Sequence, residues 1–250
     1  YKHVPLLQKE ENFLMALKNN FFATFDLCEV AHNNNVSSFT LISSDKAVNP
    51  TNIMGASKRL SELSLQAFQI KYKNNTCFSM VRFGNVLNSS GSVVPLFWKQ
   101  IQDGGPVTVT HKDINRFFMT IEEAASLVIK SNSIAQGGEV FLLDMGSPIK
   151  IRELAEKMIR LSGNSIATDK KDGIEILYSG LRPGEKMYEE LLLSNNPLDT
   201  KYKKIKKGLE RKHNFNEIEA LKNKIKINSL SINIENINNL ISDFVEGYKV

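Results

Sequence analysis

The chain is poor in cysteine, nearly without tryptophan, and holds no long apolar run. Its 250 residues include two cysteines, Cys28 and Cys77, and one tryptophan, Trp98. Neither cysteine stands at a metal-ligand spacing from the other or from a histidine. A disulfide scaffold and a zinc site are thereby excluded, and a reducing compartment is implied. His3, His32, His111 and His213 are scattered without a ligand pattern, so no metal is expected. No stretch approaches the roughly 18 apolar residues that span a membrane, and no signal-peptide pattern appears. A glycine-rich G-x-G-x-x-G following a strand is also missing. The charge excess is small, 32 Lys and Arg against 27 Asp and Glu, for a net +5. Much of it lies in KYKKIKKGLERKH, residues 201–213. Without the interleaved aromatics of a base-stacking platform, this reads as a solvated face, and no nucleic-acid partner is expected.

What is present describes an ordinary globular protein. Hydrophobic residues make up 42% and charged residues 24% of the chain. The length suffices for one large domain or two intertwined lobes. Residues 12–34 carry apolar side chains at helical spacing before running out in asparagines. VSSFTLIS (36–43) reads as a strand, SDKAVNPTN as a polar loop, and a second helix starts near Met54 and continues through KRLSELSLQAFQIKY. TCFSMVRFGNV (76–86) is the next strand. VVPLFWKQIQ reads as a helix, DGGP as a turn and VTVT as a short strand. EEAASLVIKSNSIA is a helix, 139–145 a strand, and IRELAEKMIRLSG an amphipathic helix stopped by glycine. Short elements follow around LRPGEKMYEELL, and a last helix is predicted near ENINNLISDFVEGY.

Alternating strands and helices predict an α/β fold with a parallel sheet covered by helices. The expected division is a partial dinucleotide-binding sheet over 1–90 and 121–146, with a smaller mixed lobe over 91–120 and 147–250. The chain opens on Tyr1, in what reads as the end of a loop. It is therefore expected to be a fragment, with the first βαβ elements and any membrane anchor upstream.

The stretch SSDKAVNPTNIMGASKR (43–59) closely resembles the active-site segment of CapD-type nucleotide-sugar 4,6-dehydratases, a branch of the extended short-chain dehydrogenases. YKHVPL, RFGNVLNSSGSVVPLF (82–97), INRFFMT (114–120) and GLRPGEKMYEEL (180–191) resemble the same family in the same order. The resemblance implies a Rossmann-type fold, bound NAD or NADP, and a UDP-N-acetylhexosamine substrate such as UDP-N-acetylglucosamine. It also implies polysaccharide or glycan synthesis, a homo-oligomer, and a cytoplasmic location or attachment to the cytoplasmic face of the inner membrane through an upstream anchor.

By the same resemblance, Ser44 bonds the sugar C4 oxygen, Asp45 is the acid toward the C6 oxygen and Lys46 the base at C5. Lys58 bonds the nicotinamide ribose. Asn85 contacts substrate or nicotinamide, Arg116 and Arg182 hold the diphosphate, and Glu185 orients a nucleotide ribose. Guanidinium suits a diphosphate because its planar donors pair bidentately and never lose charge. Acid–base work by Asp45 and Lys46 runs against their ordinary protonation at pH 7. Moving either pKa by about 3 units takes roughly 4 kcal/mol, and burial acts in the needed direction for both. Met54 stands where the family's proton-shuttling tyrosine stands, four residues before Lys58. A thioether moves no proton. This matches a methionine-bearing subset and implies retention of configuration at C5. The group that accepts the C4 proton stays open among Lys58, Asp45 and water. Two other functions are compatible with the residues: a UDP-sugar C4 or C5 epimerase, and a nucleotide-sugar-binding protein without catalysis.

Overall fold

The structure is a computed structural model that describes residues 1–7, 9–73, 75–168, 172–190, 197–210 and 212–248. In chain order, α1 (Val4–Leu7) and α2 (Glu10–Ala16) lead through a π-helical stretch, Leu17–Phe22, into α3 (Ala23–Asn33). Then come β1 (Ser38–Ile42), α4 (Ile53–Lys71), β2 (Cys77–Arg82), β3 (Asn85–Val86), α5 (Val93–Gln102) and β4 (Val107–Val109). β5 (Asn115–Arg116), β6 (Phe118–Met119), α6 (Ile121–Asn132), β7 (Val140–Leu143), β8 (Ile149–Lys150) and α7 (Ile151–Leu161) follow. The chain closes with β9 (Ile176–Tyr178), β10 (Leu198–Asp199), β11 (Ile205–Gly208), α8 (Phe215–Leu230) and α9 (Ile234–Phe244).

Two compact units are formed, one from Tyr1–Phe83, Ser126–Asp144 and Glu190–Val250, the other from Gly84–Ala125 and Met145–Glu189. The first unit is built on a five-stranded sheet of order β1-β2-β7-β11-β10. β1, β2 and β7 run parallel, with Ser38 opposite Cys77 and Met80 opposite Val140, while β11 and β10 are antiparallel additions. Residues 78–82 of β2 are all buried. An inner parallel strand covered on both faces reads as a near-continuous apolar run, which explains FSMV.

α4 is the central helix of this unit. The Asn52 side chain caps it by accepting the Gly55 N–H at 2.9 Å. Leu60, Leu63, Ala67 and Phe68 give it a helical apolar stripe. It is enclosed on nearly every side, so Arg59, Glu62 and Gln66 are buried as well. Phe68 packs edge-on to Phe25 of α3 at 5.0 Å and to Phe215 of α8 at 5.1 Å between ring centroids. The second unit has its own core, in which Phe97 and Ile101 of α5 and Ile151, Ala155 and Ile159 of α7 meet Val107 and Val109 of β4.

The α/β class and the parallel pairing agree with expectation, and three details differ. The helix expected over 12–34 spans α2, the π-helical stretch and α3. The single strand expected over 76–86 is β2 followed by a separate β3, because Asn85 and Val86 pair with Phe118 and Met119 in another sheet. The smaller lobe expected over 147–250 ends at Glu189. From Glu190 onward the chain returns to the first unit, since β11 pairs with β7 and α8 packs on α4. α8 itself escaped sequence reading. Its signals were a capping box, Asn214 with Glu217, and a stripe of Phe215, Ile218, Leu221 and Ile225 within a lysine- and asparagine-rich segment. Leu191, last residue of the 180–191 motif, lies outside the described residues. Among the described residues, no helix is long and apolar enough to cross a membrane.

Candidate active site

Ser44, Asp45 and Lys46 form one hydrogen-bonded turn at the carboxyl end of β1. Ser44 is extended (φ −155°, ψ 154°) and caps a single 3-10 turn, Asp45–Ala47. The Ser44 hydroxyl donates to Asp45 Oδ1 at 2.7 Å, and the Lys46 N–H points back at both side chains, 3.2 and 3.0 Å away. Lys46 Nζ lies 3.0 and 3.2 Å from the two carboxylate oxygens of Asp45. The Asp45 side chain is only 2% exposed and that of Lys46 23%. The turn therefore presents a nearly buried carboxylate and a partly open ammonium in direct contact.

α4 brings its first turn against this loop. A Cβ on Gly55 would lie 2.1 Å from the Lys46 carbonyl oxygen and 2.9 Å from Pro50 Cβ. Only glycine permits that approach, and sequence reading gave it no role. Lys58 is half-buried, with Nζ 3.4 Å from the Ile42 carbonyl at the end of β1. Burial pulls its ammonium below the ordinary lysine range, and the Glu62 carboxylate one turn on opposes the shift. Met54 goes elsewhere. The residue is 2% exposed and belongs to the apolar core with Ile53, Ala56 and Leu60. The position contributes packing.

Two polar layers lie behind the loop, neither foreseen from sequence. In the first, Asn20 of the π-helical stretch donates to Ser57 Oγ at 3.0 Å, and Ser61 Oγ donates to the Asn20 carbonyl at 2.7 Å. The second is a buried ion cluster of Arg59, Glu62, Arg82 and Glu210. Arg82 and Glu210 are 128 residues apart in sequence, so only the tertiary fold brings them together. Burial alone would raise the Glu62 carboxyl, but the Arg82 and Arg59 guanidiniums and the Ser43 hydroxyl outweigh it and hold the pKa down to about 2.

The remaining candidates belong to the second unit. Arg116, on β5, is buried. Its guanidinium donates to the Asn115 and Met187 carbonyls at 2.7 and 3.2 Å and to Glu185 Oε1 at 3.2 Å, with Glu189 at 3.8 Å. Glu185 also accepts from Thr110 Oγ1 at 3.2 Å and from the Arg182 N–H at 3.1 Å. Arg116 and Glu185 thus fix the 182–189 segment to each other, and the Arg182 residue is exposed on it. Asn85 is half-buried at the start of β3, its N–H bonded to the Phe117 carbonyl at 3.1 Å.

The family model described as polysaccharide biosynthesis protein matches residues 1–209. The capsular polysaccharide biosynthesis protein CapD of Staphylococcus aureus is 52% identical over 210 residues, 83% of this chain and 34% of that protein. A UDP-glucose 4-epimerase of Rickettsia rickettsii is 35% identical over 180 residues, 72% of this chain and 50% of that one. The chain spans about a third of the first of these curated relatives and half of the second. A solved double mutant of DesIV, a dTDP-glucose 4,6-dehydratase from Streptomyces venezuelae with NAD bound, superposes with a TM-score of 0.64. It shares 18% identity, over 76% of this chain and 62% of its own, and establishes the fold class as the Rossmann-type α/β sheet of that enzyme. By the match over residues 1–209 and the identity to CapD, this chain belongs to the polysaccharide biosynthesis protein family.

Proposed function

We propose that the protein carrying this chain is an NAD(P)-dependent 4,6-dehydratase acting on a UDP-N-acetylhexosamine, UDP-N-acetylglucosamine being the leading candidate. The observation that carries the reading is the Asp45–Lys46 contact of 3.0 Å in a nearly buried turn. Oxidation or epimerisation at C4 needs one proton-transfer group, whereas elimination across C5 and C6 needs an added acid and base. The site supplies both, touching each other. The family likeness to CapD and the fold shared with a dTDP-glucose 4,6-dehydratase support the same reading.

The cofactor fits the chain's own residues. In open parallel sheets, ligands settle beyond the carboxyl ends of the strands. Ser44 and Lys58 stand at that end of β1, a hydroxyl and an ammonium suited to ribose and sugar oxygens. They would hold NAD(P), which would supply the hydride chemistry at C4 and C6. The chain's residues handle the protons. Transfer from Lys46 to Asp45 along their contact turns the ion pair into a neutral acid and a free amine. Lys46 then accepts the C5 proton, made acidic by the C4 ketone, while Asp45 protonates the departing C6 hydroxyl, which leaves as water. That step restores the ion pair. Lys46 then gives a proton back to C5, and the proton released from the C4 hydroxyl recharges it. Lys58, Asp45 or water relays that last proton. In the second unit, Arg182 is the exposed guanidinium for the diphosphate. Arg116 serves it by holding Glu185 and the 182–189 segment, and Asn85 supplies a polar contact to the substrate.

The deciding experiment incubates full-length protein and NAD(P) with UDP-N-acetylglucosamine in deuterated water. The expected product is lighter by one water, carries a 4-keto-6-deoxy sugar and has deuterium at C5. A product that keeps its C6 hydroxyl identifies an epimerase instead. Tight nucleotide-sugar binding with neither product nor exchange identifies a protein without catalysis.

A further inference from the structure

The chain leaving β1 is clamped twice. Its backbone extends the parallel ladder, the Ser43 N–H donating to the Val81 carbonyl at 2.9 Å and the Asp45 N–H to that of Phe83 at 3.2 Å. Between those carbonyls stands Arg82, whose fully buried guanidinium donates to both oxygens of Glu62 at 2.7 and 2.6 Å. The Ser43 hydroxyl donates to the same Glu62 at 2.5 Å. A closed ring results, running from the Ser43 backbone to Val81, through Arg82 and Glu62, and back to the Ser43 side chain. Beyond it, Arg82 holds Glu210 at 2.5 and 2.8 Å, and Arg59 bridges Glu62 at 2.9 Å and Glu210 at 2.7 Å.

Stability alone does not account for such a cluster, because well-packed apolar replacements of buried ion pairs are often as stable. What paired guanidinium and carboxylate groups do supply is direction. Successive side chains of an extended strand point to opposite faces. Ser44 is extended, so a Ser43 side chain fixed inward on Glu62 turns Ser44 outward, and Ser44 in turn caps the turn bearing Asp45 and Lys46.

We propose that Ser43 is a positioning residue: by bonding Glu62 of the buried Arg59–Glu62–Arg82–Glu210 cluster it sets the rotation of the chain at the end of β1. It thereby aims Ser44, Asp45 and Lys46. This inference rests on the dehydratase reading, and Ser43 acts only through its neighbours.

The test compares Ser43→Ala with Ser43→Thr, which keeps the hydroxyl, in full-length protein. Amide hydrogen exchange is read over residues 45–48, alongside melting temperature, kcat and KM. Ser43→Ala is expected to speed exchange of the Lys46, Ala47 and Val48 amides about tenfold or more, while the β1–β2 ladder and the melting temperature hold. kcat falls about tenfold or more at unchanged KM, as misaimed reacting groups do. Ser43→Thr restores both. Unchanged exchange in the turn overturns the clamp. A loosened turn with normal kcat overturns its link to the reaction. Equal losses in both variants, with lower melting temperatures and faster exchange throughout, reduce Ser43 to a scaffold residue and overturn the proposal. Absence of dehydration in the unaltered protein sinks the functional reading, and the exchange comparison still judges the clamp.

Discussion

Gly55 is required by space, not by backbone angle. The 2.1 Å that would separate its Cβ from the Lys46 carbonyl oxygen cannot be absorbed by a flexible side chain, because the obstacle is backbone. Gly55→Ala is expected to push the Asp45–Lys46 turn off α4, lowering kcat by up to about 100-fold, the scale of a 1 Å misplacement. The overpacking should cost about 1–3 kcal/mol in thermal or denaturant unfolding. The proposed reacting pair, Asp45 and Lys46, answers to a different measurement. Asp45→Asn and Lys46→Ala each remove one proton-transfer group, and each should lower the rate of water loss by about 10² to 10⁴. Lys46→Ala with near-normal turnover removes the base assignment. Met54 belongs to this scale too. Its place in the core accords with the proposed assignment, in which the turn after β1 holds the acid and the base toward C6 and C5.

At the scale of elements, α4 and β2 are joined through charge as well as through apolar packing. Glu62 faces two guanidiniums in a fully buried setting. Glu62→Ala leaves two buried cations short of a partner, and unfolding by urea should show a loss of about 3–5 kcal/mol. The pH dependence follows from the depressed carboxyl. The Glu62 pKa of about 2 lies below its ordinary 4.5, so folding favours the charged form. Its stabilisation is present in full above the unfolded value and is lost as pH falls from about 4.5 toward 2. Glu62→Gln should therefore flatten the fall of stability across that window, and unfolding curves taken at steps between pH 5 and 2 test it. An unchanged slope would assign the acid sensitivity to other carboxylates.

For the whole molecule, the return of the chain after Glu190 has a consequence for where it can be cut. A lobe over 147–250 would tolerate trimming at its end. In the structure, Phe215, Ile218, Leu221 and Ile225 of α8 are buried in the core of the first unit with Phe25 and Phe68. At about 1.5–3 kcal/mol for each fully buried side chain, four of them approach the whole stability of a typical domain, about 5–15 kcal/mol. Deleting residues 212–248 should abolish the cooperative thermal transition and expose apolar surface to a hydrophobic dye. A truncated chain that melts normally would show α8 to be an appendage.

The sequence by itself determined most of the local elements and marked the loop proposed to carry the chemistry. Apolar periodicity marks α4, α5 and α7, alternation of strand and helix marks the parallel sheet, and SSDKAVNPTN places Asp45 and Lys46, the proposed acid and base, side by side. Adjacency along the chain is visible in a sequence because no folding is needed to create it. Tertiary structure alone decided what supports that loop. The Arg82–Glu210 pair spans 128 positions, and Ser43 meets Glu62 only because α4 lies across the end of β1. The same holds for Gly55, whose need for space is set by a carbonyl nine positions earlier. Such contacts have no signature in spacing, since they exist only once strands have paired and a helix has covered them.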